Sequence, residues 1–418
     1  MKVYKNLTNC RVCNSKNFVE VIKIDDQHLS PTFVKTNVGN KLAEIKVPHT
    51  LVFCKDCNLL QLKETVEPDL LYKQYFYRSA VSDTMRTDLR KVVDDVMTRV
   101  NLSDGDYVVD IGANDCTMVS YYPENLNRCG IEPAENIDWD HVNNVKIVND
   151  YFNETSIKLA VGNNKVKVFT SCAMFYDLDD PNSFVSTIKK YLHPEGVYCI
   201  QLSYLVAMFR NVNFYDICNE HLEYYSLETL QCLMSRHDLE IFDAEENAVN
   251  GGSVRVMITH KGRKNKSENL IALEKIESQM ELDKPETYIS FHEKITEIKN
   301  KVNKVIHAER QSGNIVLGLG ASTKGNMLLQ TFGIDKETLP CISERNPDKV
   351  GLRTLGTDIE LISEEAAREM KPSCMLVLPW YFKKEIVERE KEYIHSGGKL
   401  LFPMPYPHLV TKDGEVSL

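Results

Sequence analysis

The sequence predicts an α/β protein in three parts: a metal-binding N-terminal module, a central doubly wound domain and a smaller C-terminal α/β domain. Three observations carry this. Two Cys-x-x-Cys pairs, Cys10 with Cys13 and Cys54 with Cys57, mark a module near the start of the chain. From residue 104 to about 260, short apolar strands alternate with helices, and the first strand runs into Asp110-Ile111-Gly112-Ala113-Asn114-Asp115. A second αβ series opens at Ile315-Val316-Leu317-Gly318-Leu319-Gly320. Strand and helix alternating in this way give an open, mostly parallel sheet.

The chain has 418 residues, which at ~150 residues per domain suggests about three domains. Its 43% hydrophobic and 26% charged residues are those of a globular protein in water. The net charge of −10 argues against nucleic acid as a partner, since phosphate backbones are met by basic surfaces. No apolar run approaches the ~18 residues of a membrane span, and Met1-Lys2-Val3-Tyr4-Lys5-Asn6 lacks the apolar core of a signal peptide. A cytoplasmic protein with no membrane contact and no obligate protein partner is expected. In that compartment the 12 cysteines read as thiols or metal ligands.

Residues 1–65 form the cysteine module. Each Cys-x-x-Cys turn can present two sulfurs to one metal, and two turns complete a tetrahedron. Four thiolates leave no open coordination position, so Zn2+ held by Cys10, Cys13, Cys54 and Cys57 would be structural; a redox dithiol is the weaker alternative. The other cysteines are scattered and read as core. Residues 66–103 lead helically into the central domain, with Met85, Leu89, Val92, Val93, Val96 and Met97 at helical spacing.

The central domain, 66–263, has expected strands at Tyr107–Ile111, Asn127–Glu132, Val166–Ser171 and Gly196–Leu202, then a hairpin from Leu239–Glu245 to Ser253–Thr259. The glycine after the first strand lets backbone approach a ligand, and an acid ending the second strand accepts from ribose hydroxyls. Gly112 and Glu132 fit those roles. A dinucleotide would want G-x-G-x-x-G, which is missing, and Cys116 stands where a further glycine would be. S-adenosylmethionine (SAM) has no pyrophosphate to seat on a helix N-terminus and suits the pattern better. An ordinary strand–turn–helix corner is the alternative.

After the fourth strand, Phe214-Tyr215-Asp216-Ile217-Cys218-Asn219-Glu220-His221-Leu222-Glu223-Tyr224-Tyr225-Ser226 lies on the carboxyl side of the sheet, where ligands bind. Glu220 and His221 suit acid–base work. A surface loop leading to a helix capped by Ser226-x-x-Thr229 is the alternative. Residues 264–311 read as a helical connector with an apolar stripe of Tyr288, Phe291, Ile295, Ile298, Val302 and Ile306. Residues 312–418 form the C-terminal α/β domain, with strands near Pro340–Ser343, Met375–Pro379 and Lys399–Pro403.

Taken in order, these motifs resemble one family. They are the two Cys-x-x-Cys pairs, a Tyr-rich segment (Tyr72, Tyr75, Tyr77, Ser79), Asp-Ile-Gly-x-Asn-Asp, Glu-His-Leu-x-Tyr-Tyr-Ser, Asn-Gly-Gly-Ser-x-Arg and Gly-Ala-Ser-x-Lys-Gly-Asn. The chain resembles zinc-containing, SAM-dependent sugar C-methyltransferases, which methylate C3 of dTDP-4-keto-deoxysugars. The resemblance spans nearly the whole chain. It implies Rossmann-like central and C-terminal domains with the nucleotide sugar between them. It implies a cofactor held by Asp110, Gly112, Asn114, Asp115, Glu132 and Pro133, with Ser171 and Met174 lining its methionine side. Glu220 and His221 match the catalytic pair. Ser203, Tyr204, Asn250, Arg255, Ser322, Lys324 and Asn326 are the implied substrate contacts. The chain departs from the family pattern at Cys116, Asp177, Cys218 and Asn219.

C-methylation needs a carbon nucleophile, made by deprotonating the carbon beside a ketone. His221 is the expected base, oriented by Glu220, with the phenols of Tyr77 and Tyr224 donating to the enolate oxygen. The rival readings are O- or N-methylation of a nucleotide sugar, a nicotinamide oxidoreductase using Gly318-x-Gly320, and a non-catalytic nucleotide-binding scaffold.

Overall fold

The computed structural model describes residues 3–30, 32–75, 77–140 and 142–418. Its central sheet has seven strands. In spatial order they are Leu239–Asn247, Ser253–His260, Leu192–Ser203, Val166–Cys172, Tyr107–Ile111, Asn127–Ile131 and Val145–Val148. The last five are parallel, and Ser253–His260 returns antiparallel between its two neighbours. The strands of the sheet centre are apolar on both faces because helices cover both. On one face Leu89, Val92, Val93 and Val96 of helix Asp83–Met97 pack on Val108, Val168, Val197 and Cys199. On the other, helices Glu154–Val161 and Pro181–Tyr191 bring Ile157, Phe184, Val185 and Ile188 into a core with Val109, Ile111, Phe169 and Ile200. Strand Val145–Val148 was not among the expected strands. It is a four-residue, partly exposed edge strand without a strong apolar signature.

Strand order reverses between Tyr107–Ile111 and Val166–Cys172, which pair in parallel with Asp110 opposite Thr170. The chain leaves these two carboxyl ends in opposite directions and opens a crevice there.

The N-terminal module is not self-contained. Strands Phe18–Gln27, Val47–Cys54 and Leu60–Leu62 form an antiparallel meander whose fourth strand, Glu223–Tyr224, comes from the central domain. Its short strand Phe33–Val34 joins the far edge of the C-terminal sheet by pairing with Arg353–Thr354. That sheet has a parallel centre of Lys399–Phe402, Cys374–Val377, Val316–Leu319, Cys341–Glu344 and Glu360–Ser363. Helix Pro285–Gln311 has 27 residues and is about 40 Å long. It buries the six-residue stripe expected from the sequence, with Tyr288 against Phe53 of the cysteine module (ring centroids 5.3 Å) and Phe209 of the central domain (5.4 Å). It acts as a strut along the modules.

Candidate active site

At the crevice, Gly112 turns the chain with a φ of +69°, and Met174 Cγ stands 2.9 Å from where a Cβ would project. Only glycine fits without displacing Met174. The Gly112 N–H donates to the Ile131 carbonyl (2.9 Å), tying the two strand ends together. One oxygen of Glu132 accepts from the Asn114 N–H (2.7 Å) and the other from the Ala134 N–H (2.9 Å). Each oxygen keeps a second lone pair for a ligand. Asp110 is 2% exposed and accepts the Thr170 hydroxyl (2.7 Å); burial pushes its carboxyl up to about 7. Cys116, at the missing glycine, also has a positive φ of 62°, and a Cβ added to Gly130 would meet its Sγ at 3.0 Å. The thiol fills the space that a glycine at 130 leaves.

Asn114 and Asp115 are turned to another task. Asn114 donates to the Tyr77 carbonyl (3.1 Å) and accepts from the Ser79 N–H (3.1 Å), and Asp115 accepts from the Ala80 N–H (2.8 Å). Asn136 bonds both the N–H and the carbonyl of Tyr75 (3.0 and 3.1 Å). The Tyr-rich segment is thereby strapped across the corner, leaving the Tyr77 side chain 43% exposed. Pro133 and Met174 are half-buried beside Glu132 and Gly112. Ser171, expected beside the methionine side of the cofactor, is buried and its hydroxyl shares a 2.7 Å bond with the Tyr198 hydroxyl.

The Glu-His loop runs from helix Leu205–Asn211 to strand Glu223–Tyr224. It is followed by helix Leu227–Ser235, which opens on a Ser226–Thr229 capping box, so loop and capped helix coexist. The His221 ring lies 4.1 Å from the Tyr176 ring. Burial, reinforced by Lys324, holds its imidazole down at about 3, so the ring stays neutral and the same surroundings oppose its taking on a proton. Burial pushes Glu220 up to about 7. The Glu220 carboxylate faces the Cys218 thiol (3.8 Å) instead of the imidazole, so the expected Glu–His bond is not formed. The Tyr224 hydroxyl, expected at the enolate oxygen, shares its one proton between the carbonyls of His221 (3.1 Å) and Asp216 (3.3 Å), bracing the loop. His221, Ser203, Tyr176 and Asp216 line a small cavity together with Tyr204, Glu223 and Tyr224. Asp177 is raised well above the usual carboxylate range by burial and by Glu220, and its Oδ1 has no partner among the described residues.

Of the expected substrate contacts, Lys324 is central. From the first turn of helix Thr323–Phe332 it donates to Asp216 (2.6 Å) and the Asn250 carbonyl (2.8 Å), over the rings of Tyr215 and Tyr381. Ser322 caps that helix, accepting from the Gly325 N–H (3.0 Å), and Asn326 donates to the Ser30 carbonyl (2.8 Å). Tyr204 donates to Glu277 (2.8 Å), a carboxylate that also accepts two N–H groups at the start of helix Leu227–Ser235. Arg255, expected as a substrate contact, lies inside the protein. It is 2% exposed and engaged by Gln201 (3.0 Å), Asp88 (3.4 Å) and Asp95, fastening helix Asp83–Met97 to the sheet.

The sulfurs of Cys10, Cys13, Cys54 and Cys57 all lie within 4.8 Å of one another. A zinc–sulfur bond of ~2.3 Å places tetrahedral sulfurs about 3.8 Å apart, so the donor set fits one such ion. Both knuckles turn alike. Asn14 and Asn58 follow the second cysteine with φ of 62° and 61°, and their N–H groups donate to Cys10 and Cys54 carbonyls (2.9 Å each).

Comparison with known proteins agrees with this geometry. Residues 83–244 match a family described as a methyltransferase domain, and residues 10–72 a zinc binding domain. Residues 248–405 match a C-methyltransferase C-terminal domain. The chain is similar to C-methyltransferase NovU of Streptomyces niveus, 25% identical over 424 residues covering 98% of this chain and 99% of NovU. The chain is a SAM-dependent methyltransferase related to C-methyltransferases. Solved structures of similar shape include a SAM-dependent methyltransferase from Clostridium acetobutylicum ATCC 824 (12% identity, 44% of this chain, 94% of that chain, TM-score 0.35). Another is the magnesium protoporphyrin IX methyltransferase of Synechocystis PCC 6803 (8% identity, 42% of this chain, 79% of that chain, TM-score 0.32). At these scores the assignment rests on the sequence matches.

The methyltransferase carries a second corner, of which the sequence reading singled out Gly318-x-Gly320 but missed Glu344. Gly320 follows strand Val316–Leu319 with a φ of +78°, and Pro379 Cγ stands 2.9 Å from its missing Cβ. Glu344, ending the adjacent strand, accepts from the Ala321 N–H (2.8 Å) and the Asn346 N–H (2.7 Å). This repeats the Gly112–Glu132 arrangement. The available signal was an acid closing the second strand of the second αβ series.

Proposed function

We propose that this methyltransferase acts on a carbon beside the ketone of a nucleotide-activated deoxysugar, dTDP-linked. The observation that carries the reading is geometric: the half-buried His221 imidazole lines a cavity with Ser203, at the carboxyl end of strand Leu192–Ser203 in the sheet that also carries the cofactor corner. Asp110, Gly112, Glu132, Pro133 and Met174 are the groups suited to hold SAM, with Glu132 accepting from the ribose. Bound there, SAM supplies an electrophilic methyl group. His221 removes the proton beside the ketone, and the resulting enolate carbon forms the new C–CH3 bond as the S–CH3 bond breaks, releasing S-adenosylhomocysteine. The proton then leaves His221 for solvent. Tyr77, partly exposed and hydrogen-bonded to Ser79, is the phenol proposed to donate to the enolate oxygen. The Gly320–Glu344 corner suits the substrate's nucleoside, and Lys324 and Asn250 stand between the two domains where its sugar would pass. A structural Zn2+ in the four-thiolate cluster completes the enzyme.

The test supplies 13C-methyl SAM and a dTDP-4-keto-deoxysugar, and reads the atom to which the labelled methyl is bonded. A carbon-bonded methyl supports the reading. An oxygen- or nitrogen-bonded methyl supports a second reading, favoured by one observation: Tyr224 is committed to the loop and unavailable to an enolate. In parallel, wild type should exchange the substrate's α-proton with D2O and His221→Asn should not.

A further inference from the structure

Glu223 lies two residues beyond His221 with its side chain 0% exposed, and among the described residues neither of its carboxyl oxygens has a hydrogen-bond partner. Burial pushes its carboxyl well above the usual range and Arg11 opposes that shift, so the charged form depends on this guanidinium. Arg11, whose side chain is 1% exposed, has its Nε 3.8 Å from Glu223, and among the described residues that Nε also lacks a hydrogen-bond partner. Arg11 stands between Cys10 and Cys13, on the first knuckle of the thiolate cluster. The rest of its guanidinium is fixed: Nη1 donates to the Leu62 carbonyl (2.7 Å), Nη2 to the Thr65 hydroxyl (2.7 Å), and Asp179 lies 3.7 Å from Nε. Its main-chain N–H donates to Gln61 (3.1 Å), and its carbonyl accepts from Asn182 (2.7 Å).

The same segment grips the loop through its backbone. Glu223 pairs with Gln61 and Tyr224 with Leu60, and the Leu62 N–H donates to the Leu222 carbonyl (2.8 Å). The loop therefore touches the cysteine module by a short ladder, by the Ser30 N–H on Asn219 (3.3 Å) and by this charge. A two-residue ladder is marginal as a clamp by itself. The Arg11–Glu223 pair adds a second hold on the same residue.

We propose that Arg11 is a positioning residue for the acid–base loop: it holds Glu223, and through Glu223 it sets the direction of His221. The four-thiolate cluster in turn sets where Arg11 stands. The proposal rests on His221 being the base.

The test uses the full-length, metal-loaded enzyme and reads kcat, S-adenosylhomocysteine affinity and α-proton exchange. Arg11→Met should lower kcat and exchange at least tenfold while changing S-adenosylhomocysteine affinity less than twofold. Arg11→Lys should restore little, since an ammonium cannot reproduce the fork. Arg11→Met/Glu223→Gln should recover most of the loss, because removing both members of a buried pair is tolerated where removing one is not. Should Arg11→Met fail to fold, Glu223→Gln alone, nearly the same size and uncharged, carries the test with the same expected tenfold loss. Unchanged kcat, affinity falling in step with kcat, or a double variant no better than the single overturns the proposal. If His221→Asn keeps exchange, the base assignment fails whatever Arg11 does. If His221→Asn abolishes exchange and Arg11→Met does not, the positioning role alone fails.

Discussion

Replacing Glu132 by glutamine separates its two duties. In the native corner each carboxylate oxygen accepts one main-chain N–H, from Asn114 (2.7 Å) and Ala134 (2.9 Å). Glutamine keeps the shape but has a single acceptor oxygen, so one of these N–H groups meets an NH2 instead. A hydrogen bond to a charged group is worth about 1.5–3 kcal/mol, and that loss should appear in the unliganded protein. A melting midpoint lower by several degrees follows, at ~2–4 °C per kcal/mol. The remaining lone pairs are the ones proposed to take the ribose hydroxyls. Weakening them by a similar about 1.5–3 kcal/mol raises the Kd for S-adenosylhomocysteine ~10- to 100-fold, at 1.4 kcal/mol per tenfold. Calorimetric titration reads the affinity and a thermal melt reads the stability. A lowered midpoint with an unchanged Kd would show that Glu132 braces the corner without touching ribose, and would refute the cofactor role given to it.

Asp110 is raised to about 7 by burial, above its unfolded value near 3.8. Its favourable contribution is therefore present below pH ~4 and lost as pH rises through 7. Asp110→Asn, which can still accept the Thr170 hydroxyl, should gain stability relative to wild type at pH 8, by at most about 4 kcal/mol, and little at pH 4; paired melts check it. His221 is held at about 3, so its ring resonances should not titrate between pH 5 and 8 in an NMR series. Lys324→Met strands the buried Asp216 and should cost about 3–5 kcal/mol in a denaturant melt, with Asp216→Asn in the same chain recovering much of it. Cys54→Ser should lower metal content by elemental analysis and lower the melting midpoint, because folding of a thiolate module is coupled to its metal.

The features legible in the sequence are those whose cause is local. Gly112, Glu132 and the strands that end in them are fixed by short-range backbone needs, and the stripe on helix Pro285–Gln311 is set by helical period. Cys10, Cys13, Cys54 and Cys57 announce themselves by spacing. What the sequence leaves open is choice of partner. Arg255 pairs with Asp88 and Asp95, more than 150 positions away, and nothing near it in sequence says so. Ser171 and Tyr224 were read as site residues by position, but which way a hydroxyl turns depends on the carbonyl or phenol that packing brings to it. Strand Phe33–Val34 is two residues long, too short for any periodicity, and exists because Arg353–Thr354 offers it an edge.

That stray strand bears on why a methyltransferase of this kind has a third module at all. Residues 205–224 cross from the central sheet to the site with only short helical turns of their own. Neither α/β sheet supplies the edge on which they end: strand Glu223–Tyr224 is completed by Leu60–Leu62. On its other side the cysteine module reaches the C-terminal domain through Phe33–Val34, and Ser30 bonds both Asn219 of the loop (3.3 Å) and Asn326 of the C-terminal helix (2.8 Å). A loop held from one domain alone could drift relative to the other by the small hinge motions expected of polar interdomain contacts. Held through a common third body, the loop, the cofactor corner and the Glu344 corner share one frame. Methyl transfer requires reacting atoms from two ligands to align within about 3–3.5 Å. A Ser30→Ala variant, which keeps the main-chain bonds, should leave that frame intact. Removing the Phe33–Val34 pairing with a proline at Val34 should lower kcat while S-adenosylhomocysteine still binds, and equal loss of both would point instead to general unfolding.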